Sequence, residues 1–252
     1  MKAQTHVVFS DVHVGYHCPK ALDILYAIVE DLQPQTVICN GDLLDCYNIS
    51  HFSKDPLRLE CLQDEINDAR KVLETITSIS KRSRKVLTEG NHEARLRKTI
   101  HNLDKGAREL ARLDAFQEAM TWPSLLRLGG IGWQFIPEKQ QPTSNILPHF
   151  IVKHGTVVRK YSGYTAKGEF DNYHTSGVSG HTHRLGLFYQ TDFNGTHRWL
   201  ETGCLADPKQ CDYLNQPNWQ QGFAVITTKD DLVGVELVHI EEGKALFRGK
   251  AY

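Results

Sequence analysis

Seven polar residues, grouped in five short clusters, have the types and spacing that a metal centre needs. They supply imidazoles, carboxylates and one amide, and they are Asp11, His13, Asp42, Asn91, His154, His181 and His183. Together these side chains would suffice to hold two divalent metals side by side. A pair of metals a few Å apart clamps a phosphorus centre for in-line attack by hydroxide. The leading hypothesis is therefore metal-dependent hydrolysis of a phosphate ester.

Each cluster, taken singly, also has an ordinary structural explanation. An Asp close to a His, as at 11–13, is common in a turn beside a surface histidine. Asn91 is a good helix cap, with Glu93 in the first turn of the helix, and any one of the histidines could be a simple buried residue. The joint pattern favours the metal centre, because five such clusters, each after a predicted strand, are hard to obtain by accident.

The clusters in the first half of the chain follow short apolar runs that are typical of strands. The runs at 6–10, 36–39 and 85–87 are β-branched or otherwise apolar, and they stop at Asp11, at Asn40 and at Glu89. Apolar residues at helical spacing lie between them, at 20–32 and 62–79. This alternation predicts parallel strands linked by helices, whose carboxyl ends form the edge where ligands bind.

The second half of the chain changes character. Residues 94–120 are strongly charged with a helical pattern, and Pro123 then interrupts any continuation. Strands are predicted at 133–136, 150–152, 186–190, 223–227 and 232–239. We therefore expect an α/β fold, a four-layer α/β/β/α sandwich of two mixed sheets flanked by helices. No repeat or linker divides the chain, so residues 1–252 are predicted to form a single domain.

Composition excludes several classes of protein. The formal net charge is -1, which argues against a general nucleic-acid footprint but leaves room for a local basic groove. The chain shows no signal-peptide order and no apolar run of transmembrane length. We expect a cytoplasmic protein without a membrane partner.

The six cysteines (Cys18, Cys39, Cys46, Cys61, Cys204 and Cys211) form no CxxC pair and are predicted to be reduced thiols. Cys39 and Cys46 flank the Gly41-Asp42 cluster. They are either small apolar fillers behind the site or, less favoured, a source of a thiolate ligand for a soft metal.

The order DxH, GD, GNHE, H and GHTH resembles the calcineurin-like metallophosphoesterase superfamily over residues 5–184. This resemblance implies a first metal bound by Asp11, His13 and His183, and a second metal bound by Asn91, His154 and His181. Asp42 would bridge the two metals, and a metal-bound hydroxide would be the nucleophile. His92 would donate a proton to the leaving group or contact the phosphoryl oxygens. The runs at 90–98, 159–170, 180–186 and 201–208 are also similar to small metallophosphoesterases of bacteriophages and bacteria.

The chain departs from one branch of that superfamily. Cys46 and Tyr47 stand where the Ser/Thr protein phosphatases carry Arg and Gly, so a phosphate-gripping arginine is missing there. Asp45 keeps the second acidic position and is predicted to orient His92, with a solvated loop carboxylate as the alternative. Arg95 is the candidate for binding a phosphate oxygen.

Other residues near these motifs are weaker candidates. Arg97 and Arg184 could also bind phosphate but are more often solvated. One of Tyr161, Tyr164 and Tyr173 could stack on a base, although we expect at least two of them to pack in the core.

Four functions remain open at this level. The favoured one is hydrolysis of phosphodiesters or phosphomonoesters, with diesters preferred. The alternatives are a DNA exo- or endonuclease of the repair type, a protein phosphatase and, least favoured, a binding scaffold without chemistry. The expected cofactors are two divalent ions, Mn²⁺ first, with Fe²⁺, Zn²⁺, Ni²⁺ or Mg²⁺ as alternatives. The expected partner is a phosphate-ester substrate, including a nucleotide or nucleic acid.

Overall fold

The computed structural model describes residues 2–57, 59–210 and 217–252, and these residues form helices and strands in the predicted alternation. The helices are α1 Pro19–Leu32, α2 Leu62–Ile79, α3 Ala94–His101, α4 Lys105–Leu110, α5 Asp114–Ala119, α6 Trp122–Leu125, α7 Leu128–Ile131 and α8 Tyr164–Tyr173. The strands are β1 Gln4–Phe9, β2 Thr36–Cys39, β3 Arg84–Thr88, β4 Trp133–Ile136, β5 Thr143–Leu147, β6 Phe150–Val152, β7 Gly177–Ser179, β8 Leu185–Asp192, β9 Gly195–Thr202, β10 Gln221–Lys229, β11 Leu232–Glu241, β12 Lys244–Phe247 and β13 Lys250–Ala251.

The strands form two mixed sheets. The larger sheet has the order β13-β12-β11-β10-β1-β2-β3-β4, in which β1 to β4 run parallel and β10 is antiparallel to β1. The smaller sheet has the order β5-β6-β7-β9-β8, with β6, β7 and β9 parallel. The predicted pair of mixed sheets is confirmed.

Apolar side chains fill three layers between these elements. Val8 and Ile38 of the larger sheet pack between the sheets against Val152 and Leu200 of the smaller one. On the opposite face of the larger sheet, residues such as Phe9 pack under α1 and α2. The outer face of the smaller sheet is covered by α8, and its core residues are Ala166, Phe170 and Trp199. The four-layer α/β/β/α arrangement follows, as predicted.

The two longest helices begin and end where local chemistry dictates. Pro19 stands in the first turn of α1, where its missing N–H is tolerated, and Gln33 ends the helix in the left-handed conformation. At the start of α2, the backbone N–H of Cys61 donates to Asp64 over 2.8 Å. Both helices bury a continuous apolar face.

The charged stretch at 94–120 is not one helix. It forms three short helices, α3 to α5, and α4 and α5 contain no buried residues. α3 ends at His101, and Asp104 caps the start of α4 by accepting a hydrogen bond from the backbone N–H of Ala107 over 2.9 Å. A long helix gains most of its stability from burying an apolar face, and neither α4 nor α5 buries one. No helix in the described ranges is long and apolar enough to cross a membrane.

Candidate metal centre

Five loops bring the seven predicted ligands to one end of the sandwich. Asp11, Asp42 and Asn91 follow β1, β2 and β3 of the larger sheet, whereas His154 and His181 follow β6 and β7 of the smaller one. Each loop leaves from the carboxyl end of its strand. The site is therefore shared by both sheets, because the sandwich places these five strand ends side by side.

A first cluster consists of Asp11, His13 and His183, all buried. Nε2 of His183 lies 3.2 Å from Oδ1 of Asp11, and Nε2 of His13 lies 3.8 Å from the same oxygen. The two Nε2 atoms are 3.0 Å apart. These are the three residues expected at the first metal.

A second cluster gathers around His154. Its Nε2 lies 3.1 Å from Oδ2 of Asp42 and 3.1 Å from Oδ1 of Asn91. His181 completes the cluster, since one ligand atom from each of Asp42, His154 and His181 falls within 4.8 Å of the others. The residues expected at the second metal are thus neighbours.

Asp42 faces both clusters. Its Oδ2 lies 3.8 Å from Nε2 of His13 in the first cluster and 3.1 Å from Nε2 of His154 in the second. The Asp42 side chain is almost fully buried, so its charge is not screened by solvent. This position is the one that a carboxylate shared by two cations would occupy.

The hydrogen bonds of the imidazoles show that these clusters fit metal ions. Nδ1 of His154 lies 2.8 Å from the carbonyl oxygen of Asn40, and Nδ1 of His13 lies 3.2 Å from Oδ1 of Asp45. Both partners can only accept, so Nδ1 donates in each ring, and in the neutral imidazole Nε2 then keeps the lone pair. Those lone pairs then point at carboxylate and amide oxygens, which also only accept. A divalent cation bound among these atoms would give each of them a partner. Imidazole and carboxylate ligands suit Mn²⁺, Fe²⁺ and Zn²⁺.

The pKa values of Asp42 and His154 reflect the mutual stabilisation of buried carboxylates and imidazoles in these clusters. Burial raises the pKa of Asp42, but the neighbouring His154 and His92 outweigh this effect and hold the pKa well below its ordinary value. Burial lowers the pKa of His154, but Asp42 outweighs it and raises the pKa to about 10. The carboxylates that stabilise a proton on His154 would equally stabilise a metal cation beside it.

His92 is held at the edge of the centre by Asp45. Nδ1 of His92 lies 2.8 Å from the carbonyl oxygen of Asp45 and 3.2 Å from its Oδ1. Nε2 of His92 consequently faces the centre, 3.8 Å from Oδ2 of Asp42. Asp45 is 4% exposed, so it is not the solvated loop carboxylate that the sequence left open.

Arg95 completes this edge. Its Nη1 donates to the carbonyl oxygen of Asp45 over 2.6 Å, and its Nη2 lies 3.1 Å from Nε2 of His92. Arg97 and Arg184 do not share this position. Arg97 pairs with Glu138 at 2.7 Å on the exposed face of α3, and Arg184 donates to the carbonyl oxygen of Arg159. Of the three arginines considered, Arg95 is the one that contacts His92.

The backbone around the ligands is strained. Five of the seven expected ligands adopt left-handed φ values between 47° and 71°, namely Asp11, His13, Asp42, His181 and His183. This conformation is unfavourable for residues with a Cβ and tends to collect at functional sites. Main-chain hydrogen bonds hold it, including those from Asp11 N to the Gly41 carbonyl (3.1 Å) and from His13 N to the Asp42 carbonyl (3.0 Å).

Glu93 organises two of the loops, a role that its sequence position did not reveal. Its buried carboxylate accepts hydrogen bonds from the backbone N–H groups of Asp42, Leu44 and Gly90, at 2.8 to 3.0 Å. Burial, together with the charge of Asp42, raises the pKa of Glu93. Because Asp42 and Asn91 belong to these loops, Glu93 fixes the distance between the two ligands.

Further buried polar residues support the ligands and were missed by sequence reasoning. Gln141 accepts from the backbone N–H of His154 over 2.7 Å, and the Ser10 hydroxyl donates to Asp11. The Asn40 side chain donates to the carbonyl oxygen of Lys153 over 2.8 Å, directly before His154, and the Asn40 backbone carbonyl accepts from Nδ1 of His154. Ser10 and Asn40 are polar residues at predicted strand ends, directly before a motif, and that position is the one signal that could have identified them.

Two of the cysteines near the motifs are buried, whereas two of the three tyrosines considered are exposed. Cys39 and Cys46 are fully buried within the apolar core, and burial raises the pKa of both thiols. They are apolar fillers. Cys18, Cys61 and Cys204 likewise form no disulfide with another described residue, and Cys211 lies outside the described residues. Tyr173 stacks on Trp199, whereas Tyr161 and Tyr164 are 51% and 61% exposed. The expectation that two of the three tyrosines pack in the core is therefore wrong.

Comparisons with known proteins place these motifs in context. A family model described as calcineurin-like phosphoesterase matches residues 5–185. The Gene 54 proteins of Mycobacterium phages L5 and D29 are each 29% identical to this chain, over 98% and 94% of its length and 97% and 94% of theirs. Similar solved structures include a Vps29 variant from Entamoeba histolytica (12% identity, TM-score 0.48, 98% and 96% coverage) and YfcE, a phosphoesterase from E. coli (12% identity, TM-score 0.40, 91% and 90% coverage).

Proposed function

Because the chain belongs to the calcineurin-like phosphoesterase family, we propose that it hydrolyses phosphate esters with the help of two divalent metal ions. The observation that carries this proposal is the position of Asp42 between two clusters of metal-ligand atoms. The first ion would be held by Asp11, His13 and His183, and the second by Asn91, His154 and His181. Bound there, two such ions would polarise the phosphoryl group and make a water molecule nucleophilic near neutral pH.

The residues at the edge of the centre are suited to handle the leaving group. Asp45 holds the hydrogen on Nδ1 of His92, so Nε2 is the atom that can exchange a proton with a leaving oxygen. Arg95 extends its guanidinium to within 3.1 Å of that nitrogen. A phosphoryl oxygen beside His92 would thus meet a fixed positive charge, which favours binding of an anion.

The preferred substrate is a phosphodiester, with phosphomonoesters second. A protein-phosphatase function is less well supported, because Cys46 is fully buried at the position where that branch carries an arginine. A non-catalytic scaffold has little support as well, since the buried acceptors of the two clusters would lack compensation without cations.

Mn²⁺ is the proposed ion, with Fe²⁺, Zn²⁺, Ni²⁺ and Mg²⁺ as alternatives.

The proposal is tested by incubating the purified protein and Mn²⁺ with bis-p-nitrophenyl phosphate and with p-nitrophenyl phosphate. We expect turnover that disappears in EDTA and that is about a hundredfold or more slower in His92→Ala. His101→Ala is the matched control, because His101 is an exposed histidine in the last turn of α3, and it should keep full activity. Absence of metal-dependent turnover with both compounds would overturn the proposal.

A further inference from the structure

Two groups of aromatic and basic side chains lie on segments that are joined to the candidate metal centre. We call them the Phe52 patch, which consists of His51, Phe52 and Arg95, and the Tyr161 patch, which consists of Lys160, Tyr161 and Tyr164. Phe52, Tyr161 and Tyr164 are 60%, 51% and 61% exposed. Large exposed aromatic rings beside a cleft are a feature of binding surfaces.

The Phe52 patch is connected to the proton-donating edge of the centre. The rings of His51 and Phe52 are nearly stacked, with centroids 4.1 Å apart and planes tilted by 34°. The guanidinium carbon of Arg95 lies 5.9 Å from the Phe52 ring centroid, and the same guanidinium contacts His92. A planar group on the leaving side of a phosphate held at His92 would therefore have an aromatic platform within reach.

The Tyr161 patch is connected to the other side of the ligand set. The loop that carries it begins at Gly155, directly after His154, and the Ser162 hydroxyl donates to the carbonyl oxygen of Leu185, two residues beyond His183. The backbone N–H of Gly163 donates to the buried carboxylate of Glu201 over 2.7 Å. The loop thus begins beside one expected ligand, His154, and its far end is bound to Leu185, two residues after another expected ligand, His183.

The exposed side chains of this second loop combine π-faces with positive charge. The rings of Tyr161 and Tyr164 meet edge to face with centroids 5.5 Å apart, and Nζ of Lys160 lies 5.3 Å from the Tyr161 centroid. Arg159 and Arg184 lie beside them, joined by a hydrogen bond of 2.8 Å. The whole chain has a net charge of -1, so this concentration of cations is local.

We propose that the substrate is a single-stranded nucleic acid, whose scissile phosphate lies at the metal centre while neighbouring bases stack on the Phe52 and Tyr161 patches. This inference rests on the proposed function. Aromatic rings interleaved with cations are how proteins hold a single strand, because the rings take the base faces and the cations take the phosphates. A duplex, by contrast, keeps its base faces stacked inside and could not offer them to these rings.

The test measures binding in EDTA, so that no hydrolysis interferes, with fluorescein-labelled oligo(dT) and oligo(U) by fluorescence anisotropy. Phe52→Ala and the double variant Tyr161→Ala/Tyr164→Ala should each weaken binding about tenfold. Phe52→Tyr and Tyr161→Phe keep the aromatic faces and should bind as the wild type does. The oligonucleotide that binds more tightly shows whether the preferred strand carries deoxyribose or ribose.

Phe193 provides a matched control, since it is fully exposed in the turn after β8, roughly 25 Å along that strand from Leu185. Phe193→Ala should leave both binding and ester hydrolysis unchanged. The inference is overturned if neither oligonucleotide binds saturably, if duplex DNA binds more tightly than both, or if Phe193→Ala weakens binding as much as Phe52→Ala. Hydrolysis of bis-p-nitrophenyl phosphate by the wild type reports on the proposed function separately, so that a chain that cleaves this ester but binds no strand refutes only the present inference.

Discussion

Oδ1 of Asp45 lies 3.2 Å from Nδ1 of His92, the residue expected to donate a proton to the leaving group. The same oxygen lies 3.2 Å from Nδ1 of His13, an expected metal ligand. One buried carboxylate therefore sets the tautomer of both imidazoles and directs both Nε2 atoms toward the centre.

Replacing Asp45 should affect catalysis and metal binding together. We expect Asp45→Asn to lower kcat for bis-p-nitrophenyl phosphate about 10- to 100-fold and to weaken Mn²⁺ binding, because a neutral amide replaces the charged acceptor that both imidazoles share. Steady-state kinetics and calorimetric titration measure the two effects. Asp68→Asn, which removes an exposed carboxylate of α2, is the control and should change neither. An Asp45→Asn variant with normal kcat and normal Mn²⁺ affinity would show that this carboxylate does not orient the imidazoles.

Gly41 should be irreplaceable for a reason beyond its left-handed backbone. Its φ is +85°, and a Cβ there would lie 2.5 Å from Nδ1 of His154 and 2.9 Å from the Cα of Gly90. We expect Gly41→Ala to abolish measurable hydrolysis, since His154 must move. Gly132 has a similar φ of +73° with open space around it.

Gly132→Ala isolates the backbone effect from the steric one. It should lower the free energy of unfolding by about 1 kcal/mol and leave activity intact. Urea unfolding and ester hydrolysis compare the two variants. If both variants lose activity to the same extent, the contact with His154 is not the reason that Gly41 is needed.

His6 should make stability depend on pH. It is 2% exposed at the end of the core between the sheets, and burial lowers its pKa to about 4, against about 6.5 in the unfolded chain. Between pH 4 and pH 6.5, His6 therefore binds a proton more readily in the unfolded chain than in the folded one. Its contribution to stability is therefore fully present above pH 6.5 and is lost as the pH falls toward 4.

The variant His6→Gln removes this titration. Between pH 7 and pH 5 the wild type should lose about 2 kcal/mol more unfolding free energy than His6→Gln does. Urea unfolding in EDTA at the two pH values gives the comparison. Equal losses in the two proteins would mean that His6 is not buried in its neutral form.

Trp219 offers a spectroscopic report on the first cluster. The centroid of its ring lies 4.2 Å from that of His183, whereas Trp122, Trp133 and Trp199 are buried at 3%, 4% and 0% exposure. A paramagnetic ion such as Ni²⁺ or Mn²⁺ beside His183 should quench Trp219 fluorescence by close contact. Trp219→Phe should lose most of this quenching, and Trp133→Phe should retain it. Quenching that survives in Trp219→Phe would place the ion elsewhere.

The strands that carry the ligands could be predicted from the sequence because each is a short apolar run that ends at a polar residue. The predicted strands at 133–136 and 150–152 match β4 and β6, and the predicted helix at 62–79 matches α2. The strand β9 was missed because half of it, Gly195 to Arg198, is polar or exposed. Its partners in the sheet, not its own pattern, determine that it is a strand.

The supporting residues of the site were harder to predict than the ligands. The ligands recur in a recognisable order, whereas Glu93, Gln141 and Glu201 act through backbone N–H groups of loops distant in sequence. Sequence patterns report which side chains are polar, but not which polar side chains become buried. The left-handed conformation of residues such as Asp11 is likewise imposed by neighbouring loops.

The measurement that tests the central claim most directly is calorimetric titration of the metal-free protein with Mn²⁺. A centre bridged by Asp42 predicts two Mn²⁺ ions bound per wild-type chain, and weaker binding of both ions in Asp42→Ala, because this carboxylate faces both clusters. Binding of a single ion by the wild type, or of two ions with unchanged affinity by Asp42→Ala, would contradict the two-metal centre.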